Sequence, residues 1–183
     1  MRKNKTVTVY ALYALRFIII SALLSSVYSC EKREPEVKPD PSEIMGKISA
    51  EFPEYNKGAN YESSIKSKKL SESKATELYS QDKNKPVDLS KIEKYSILLA
   101  SENSAGEIGI LKLYDKVNTE YVKEMAQTRI LKMQDYFKSN PDTSLSVISN
   151  NAEIRSYGNY VYYVSHPQKD KIFEIIENSL RGA

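Results

Sequence analysis

The chain contains no tryptophan, a single cysteine and a single histidine in 183 residues. Each scarcity removes a class of chemistry. One cysteine allows neither an internal disulfide nor a cysteine metal site. One histidine, His166, rules out paired-histidine zinc motifs and histidine-rich metal tracts. A serine triad would have to use His166, which stands directly before Pro167, and no G-x-S-x-G elbow accompanies it. The six glycines never fall in a Walker or dinucleotide pattern, so no phosphate loop is present. Without tryptophan there is no indole platform for stacking sugars. No metal and no cofactor is expected.

What is present divides at Cys30. Residues 1–16 carry Arg2, Lys3, Lys5 and Arg16 and no acid; Phe17 to Val27 (FIIISALLSSV) is apolar; Tyr28, Ser29 and Cys30 follow. A basic stretch, a short apolar core and a small residue before a cut form a secretory signal. Eleven apolar residues are too few to span a bilayer, which takes about 20. Val27-Tyr28-Ser29-Cys30 resembles a bacterial lipobox, with an aliphatic residue three before the cysteine and a small one just before it. Residues 1–29 are therefore expected to be a lipoprotein signal peptide and Cys30 the lipid attachment site. The expected location is the cell envelope, outside the cytoplasm, with the membrane as partner through the lipid on Cys30.

Removing residues 1–29 takes away four of the 27 basic residues and none of the 24 acidic ones, which leaves one net negative charge. The basic isoelectric point of the full chain thus resides in the leader, and no nucleic-acid partner is implied. Residues 30–41 form the lipidated cysteine and tether: Pro35, Pro39 and Pro41 alternate with charges, an extended composition that reaches roughly 30 Å at about 3.1 Å per residue. Residues 42–183 suffice for one hydrophobic core.

Within that domain, Asp40, Pro41 and Glu43 predict a capping box opening a helix with Ile44, Ile48 and Phe52 on one stripe. Residues 54–70 read as surface loop or poorly formed helix, and Ser73–Ser80 as a short helix. Tyr95–Ala100 and Glu107–Tyr114 read as strands around the loop SENSAG. Asn118 to Ser139 carries Val122, Met125, Ala126, Ile130, Met133 and Phe137 on one stripe and predicts a long helix, stopped by Asn140-Pro141. Residues 145–157 and 159–165 read as strands, with Gly158-Asn159 as a two-residue II′ hairpin turn. Tyr160, Tyr162 and Val164 fall on one face, Val161 and Tyr163 on the other. His166-Pro167 opens a last helix through Leu180. The expected class is α+β: an antiparallel sheet of about four strands in ββαββα order, helices on one face, preceded by one or two short helices.

Glu107-Ile108-Gly109-Ile110-Leu111-Lys112, then Gln134 and Phe137, then Gly158-Asn159-Tyr160-Val161, carry a resemblance. The run from Leu78-Tyr79 to Leu180 resembles a family of bacterial lipoproteins, the domain-of-unknown-function family 4358. The resemblance implies the element order and the anchor, and brings no activity with it.

Glu102 and Glu107 flank SENSAG and are the one carboxylate pair that could serve as acid and base in a hydrolase; charges around a hairpin loop are more simply solvated. Lys112 stands inside an apolar strand, where a sheet-edge position would let its ammonium reach water. Tyr157, Tyr160, Tyr162 and Tyr163 crowd the last hairpin, and tyrosine serves both strands and interfaces. The expectation is a non-enzymatic binding module for an envelope protein or cell-wall component. Its candidate interaction surface is Tyr157, Asn159, Tyr160 and Tyr162 with Lys112 and Glu107. The alternatives are a small-molecule-binding lipoprotein and a hydrolase using Glu102 and Glu107.

Overall fold

The structure is a computed structural model and describes residues 39–53, 59–63, 69–101, 104, 106–139 and 142–182. Cys30, the signal segment, most of the tether, Glu102 and Asn140-Pro141 lie outside the described residues.

Five strands form one antiparallel sheet: β1 (Asn60–Glu62), β2 (Ile92–Leu98), β3 (Glu107–Leu113), β4 (Glu153–Tyr157) and β5 (Tyr160–Ser165), in spatial order β1-β2-β3-β5-β4. Among the described residues, five α-helices accompany it: α1 (Pro41–Glu51), α2 (Glu72–Tyr79), α3 (Thr119–Lys138), α4 (Thr143–Asn150) and α5 (Lys169–Arg181). The fold is α+β with an antiparallel sheet, as the pattern requires.

The helices do not lie on one face, which corrects the sequence expectation. Ile44 and Ile48 of α1 with Ile172, Phe173 and Ile176 of α5 pack on Ile108, Ile110, Tyr160, Tyr162 and Val164. Val122, Met125, Ala126 and Ile130 of α3, with Leu78 of α2, pack on Ile97, Leu111, Leu113, Val161 and Tyr163 of the opposite face. The reason is in the strands: β3 and β5 are apolar at odd and even positions alike, so both faces must be covered.

Three further elements differ from the expectation. β1 falls in the segment read as loop; only Tyr61 of its three residues is buried, and pairing with Ser96, Ile97 and Leu98 of β2 makes it a strand. Residues 145–150, read as strand, belong to α4. Asp142 accepts from the Ser144 amide at 2.9 Å and caps that helix, and Leu145 and Ile148 pack, one turn apart, against Met133, Phe137 and Ala152. Lys112 lies on the central strand, not at an edge; its ammonium reaches Glu93 of β2 at 2.8 Å.

The expected capping box is present, with Asp40 and Glu43 exchanging bonds with each other's backbone amides. Gly158 has φ +58° and Asn159 no positive φ, the sign pattern of a II′ turn. Gly109 is required for a different reason: a Cβ there would sit 2.1 Å from Cε1 of Tyr163 on the neighbouring strand. That ring is buried and hydrogen-bonded, so it has nowhere to go. Gly109→Ala is expected to destabilise the domain by about 1–3 kcal/mol or more, read as a lower urea midpoint at unchanged slope.

Candidate functional site

The sequence-assigned surface does not assemble as a surface. Tyr160 and Tyr162 are buried in the core between the sheet and α1/α5, because their face of β5 is covered by those helices. The Tyr160 hydroxyl donates to the carbonyl of Pro39 at 2.8 Å, and the Tyr162 hydroxyl lies 3.5 Å from Glu177. Asn159 turns its amide inward and donates to the Leu113 carbonyl at 2.8 Å, with its Oδ1 buried and lacking a hydrogen-bond partner among the described residues. Tyr157 alone of that group is exposed, with the Arg181 guanidinium near its ring. Lys112 and Glu107 lie on opposite faces of β3, so the six residues never converge. His166 is a helix-entry residue: it is buried, its Nδ1 accepts from the Gln168 amide at 2.9 Å, and its ring meets Phe52 edge-on.

Glu107 is not a solvated loop residue. It is fully buried at the start of the central strand, on the face covered by α3. Both carboxylate oxygens are engaged by Arg129, Nε to Oε1 at 2.7 Å and Nη2 to Oε2 at 2.6 Å. The Ala100 amide also donates to Oε2 and the Tyr163 hydroxyl to Oε1, each at 3.0 Å. Beyond it, the hydroxyls of Tyr163 and Tyr79 are 2.8 Å apart. This chain of four side chains joins α2, β3, β5 and α3 through one buried ion pair. With no oxygen turned toward solvent, Glu107 is placed as an anchor for Arg129, not as a proton carrier to a substrate.

The charges act on one another. Burial opposes the charge on Arg129, but the Glu107 carboxylate and its hydrogen bonds outweigh that and hold the guanidinium charged beyond its usual range. Burial, and then the Glu107 charge, push the phenols of Tyr79 and Tyr163 above the ordinary tyrosine range. On the other face, burial and the Glu177 charge push Tyr162 up to about 12. A phenol that stays protonated in the fold but ionises near pH 10 when unfolded stabilises the fold fully below that pH, and less as pH rises above it. In alkaline titration, Tyr79, Tyr162 and Tyr163 are expected to ionise only as the domain unfolds. Absorbance and circular dichroism recorded together check this.

Sequence reasoning missed Arg129, which lies inside the long helix predicted from its apolar stripe. It stands three residues after Ala126 and four before Met133, so it occupies a place in the apolar stripe. A cation there, with an acid on the strand face that the stripe covers, was the available signal.

The guanidinium uses its Nε–Nη2 side for Glu107. No described residue takes the other edge, and Arg129 lines a cleft of about 500 Å³ between α2, the residues after β2 and the C-terminal half of α3. Leu78, Leu99, Met133 and Phe137 form apolar walls, and Tyr136 stands at the mouth, 60 % exposed. Lys132 borders the cleft, its ammonium on the Glu77 carbonyl at 2.5 Å, and Lys74 pairs with Glu77 at 2.7 Å. A larger cavity of about 560 Å³ between residues 80–87 and α3 carries the exposed charges Asp82, Lys85 and Glu124 and no buried ion. Among the described residues, no group of three or more His, Cys, Asp or Glu side chains could hold a metal ion, and no helix is long and apolar enough to cross a membrane.

No family model, no curated protein and no solved structure matches the chain. That result adds no support to the resemblance read from the sequence.

Proposed function

We propose that this chain is an exported, lipid-anchored module of the bacterial cell envelope that binds an anionic group of a protein or cell-wall component. Export and anchoring rest on the order of basic stretch, apolar core and Cys30. The binding reading rests on one observation: a guanidinium backed by Glu107, with its other edge taken by no described residue, lines a half-apolar cleft. A carboxylate is the group that matches two parallel N–H donors in one plane. With Lys132 beside it, the cleft favours an acid attached to an apolar body.

Mass spectrometry of the intact protein from cells tests the anchor: diacylglycerol on Cys30 is expected, and an unmodified Cys30 sinks it. Thermal shift with soluble cell-wall peptides, each supplied with a free and an amidated carboxylate, tests the cleft. At 100-fold excess over its Kd, a ligand adds about 2.7 kcal/mol. The free acid is expected to raise the midpoint and the amide to fail, with the gain reduced in Lys132→Glu. For a protein partner, a photo-crosslinker replacing Tyr136 is expected to give one adduct in cells that Lys132→Glu removes. Absence of both effects refutes binding at this cleft.

A small-molecule ligand is the second reading. Its support is the cleft volume, within the roughly 300–1,000 Å³ typical of such sites. A shift given by free small carboxylates, but not by wall peptides, would select it. The hydrolase reading loses ground because both oxygens of Glu107 are engaged by its neighbours.

A further inference from the structure

The domain has two distinguishable ends, and the tether enters at one of them. Pro39 and Asp40 are held there: the Tyr160 hydroxyl bonds the Pro39 carbonyl, and Lys94 pairs with Asp40. Lys94, Lys112 and Tyr160 are neighbours across β2, β3 and β5, and the Leu113 amide donates to the Asn159 carbonyl. The turn after β3 and the β4–β5 hairpin therefore lie at this same end. The two most exposed large apolar side chains of the described residues stand on that turn, Val117 at 80 % and Tyr114 at 68 %, and Tyr157 precedes the hairpin turn at 41 %. The cleft is at the other end, because α3 runs back from residue 119 and Tyr136 lies about 25 Å along it.

From this coincidence of tether entry and exposed apolar side chains, we infer that this end faces the bilayer, with Tyr114 and Val117 seated in the lipid headgroup region. The inference rests on the lipid anchor proposed above. Pro39 stands nine positions after Cys30, a reach of at most about 32 Å. That keeps the entry end within reach of the surface, and seating Tyr114 and Val117 there leaves the opposite end directed away from it. Tyrosine suits the interface because its ring enters the apolar layer while its hydroxyl stays hydrated. Charge contributes little: Lys91 pairs with Asp88, Lys94 with Asp40 and Lys112 with Glu93, while Lys116 adjoins Asp115. The contact is therefore with zwitterionic lipid as readily as with anionic lipid, and is insensitive to salt. The arrangement points the Arg129 cleft away from the membrane.

The absence of tryptophan makes the test direct, since any introduced indole is the sole one. Acylated full-length protein carrying Tyr114→Trp, Val117→Trp or Tyr136→Trp is reconstituted in phosphatidylcholine vesicles with and without brominated acyl chains. The Tyr114→Trp and Val117→Trp emissions are expected to shift to the blue and to be quenched by bromine at low and high salt alike, and the Tyr136→Trp emission to do neither. All three positions are exposed, so folding is preserved, and far-ultraviolet circular dichroism verifies it. Unquenched Tyr114→Trp and Val117→Trp emission in an acylated protein overturns the orientation alone, as does equal quenching of all three. A mass lacking lipid on Cys30 overturns the anchor and this inference with it.

Discussion

Arg129→Met is expected to destabilise the domain by about 3–5 kcal/mol, because it leaves the Glu107 carboxylate buried without its counter-charge. Against a total stability of about 5–15 kcal/mol for a domain of ordinary size, that loss unfolds a substantial fraction of the protein under mild denaturant. The asymmetry of buried pairs supplies the control. Glu107→Leu combined with Arg129→Met removes both charges and fills the space with apolar volume, so most of the stability is expected to return. Urea unfolding of both singles and the double, read as a mutant cycle, gives the coupling energy. A single variant within about 1 kcal/mol of the parent would show that the pair contributes little. The double variant also separates structure from binding: it should fold, yet lose any ligand that depends on the guanidinium edge.

Tyr160→Ala and Tyr162→Ala are each expected to cost about 3–5 kcal/mol, the range for emptying a buried aromatic site. Both rings occupy the layer formed with α1 and α5, and Tyr162 lies 5.9 Å from the Phe173 ring, centroid to centroid. Because the two share neighbours, their combined cost is not the simple sum, and the double variant is expected not to fold at 25 °C. Lost partner binding in that variant would report unfolding and not a missing contact surface. Tyr160→Phe is the informative replacement. It keeps the ring and removes only the bond to the Pro39 carbonyl, for about 0.5–1.5 kcal/mol. Calorimetric midpoints for the three single variants, and the absence of a transition in the double, check this ranking.

The elements read correctly from sequence share a property: their signals are local. Asp40-Pro41 with Glu43 caps α1 through its own backbone, the α3 stripe recurs over 20 residues, and Gly158 supplies the positive φ of its turn. The misread ones depend on partners distant in sequence. Residues 145–150, read as the start of a strand, open with Leu145-Ser146-Val147 in alternation, and the Asp142 cap and the docking of Leu145 on Met133 and Phe137 make them helical. At three residues, β1 has no pattern of its own to read. The tyrosines of β5 show how the same residues serve opposite roles. Alternation correctly separates Tyr160 and Tyr162 from Tyr163, and the apolar residues at odd and even positions alike were the available signal that both faces are covered.

By itself the sequence determined the α+β class, the cap of α1, the Gly158 turn and the two faces of β5, because these follow from residue type and from periods of two and 3.6. Only the tertiary structure decided that Glu107 and Arg129 meet across 22 positions, and that Pro39 is held at the end of the sheet where β3 runs out toward Tyr114. Burial and ion pairing are properties of elements brought together in space, and no local period encodes which faces will meet.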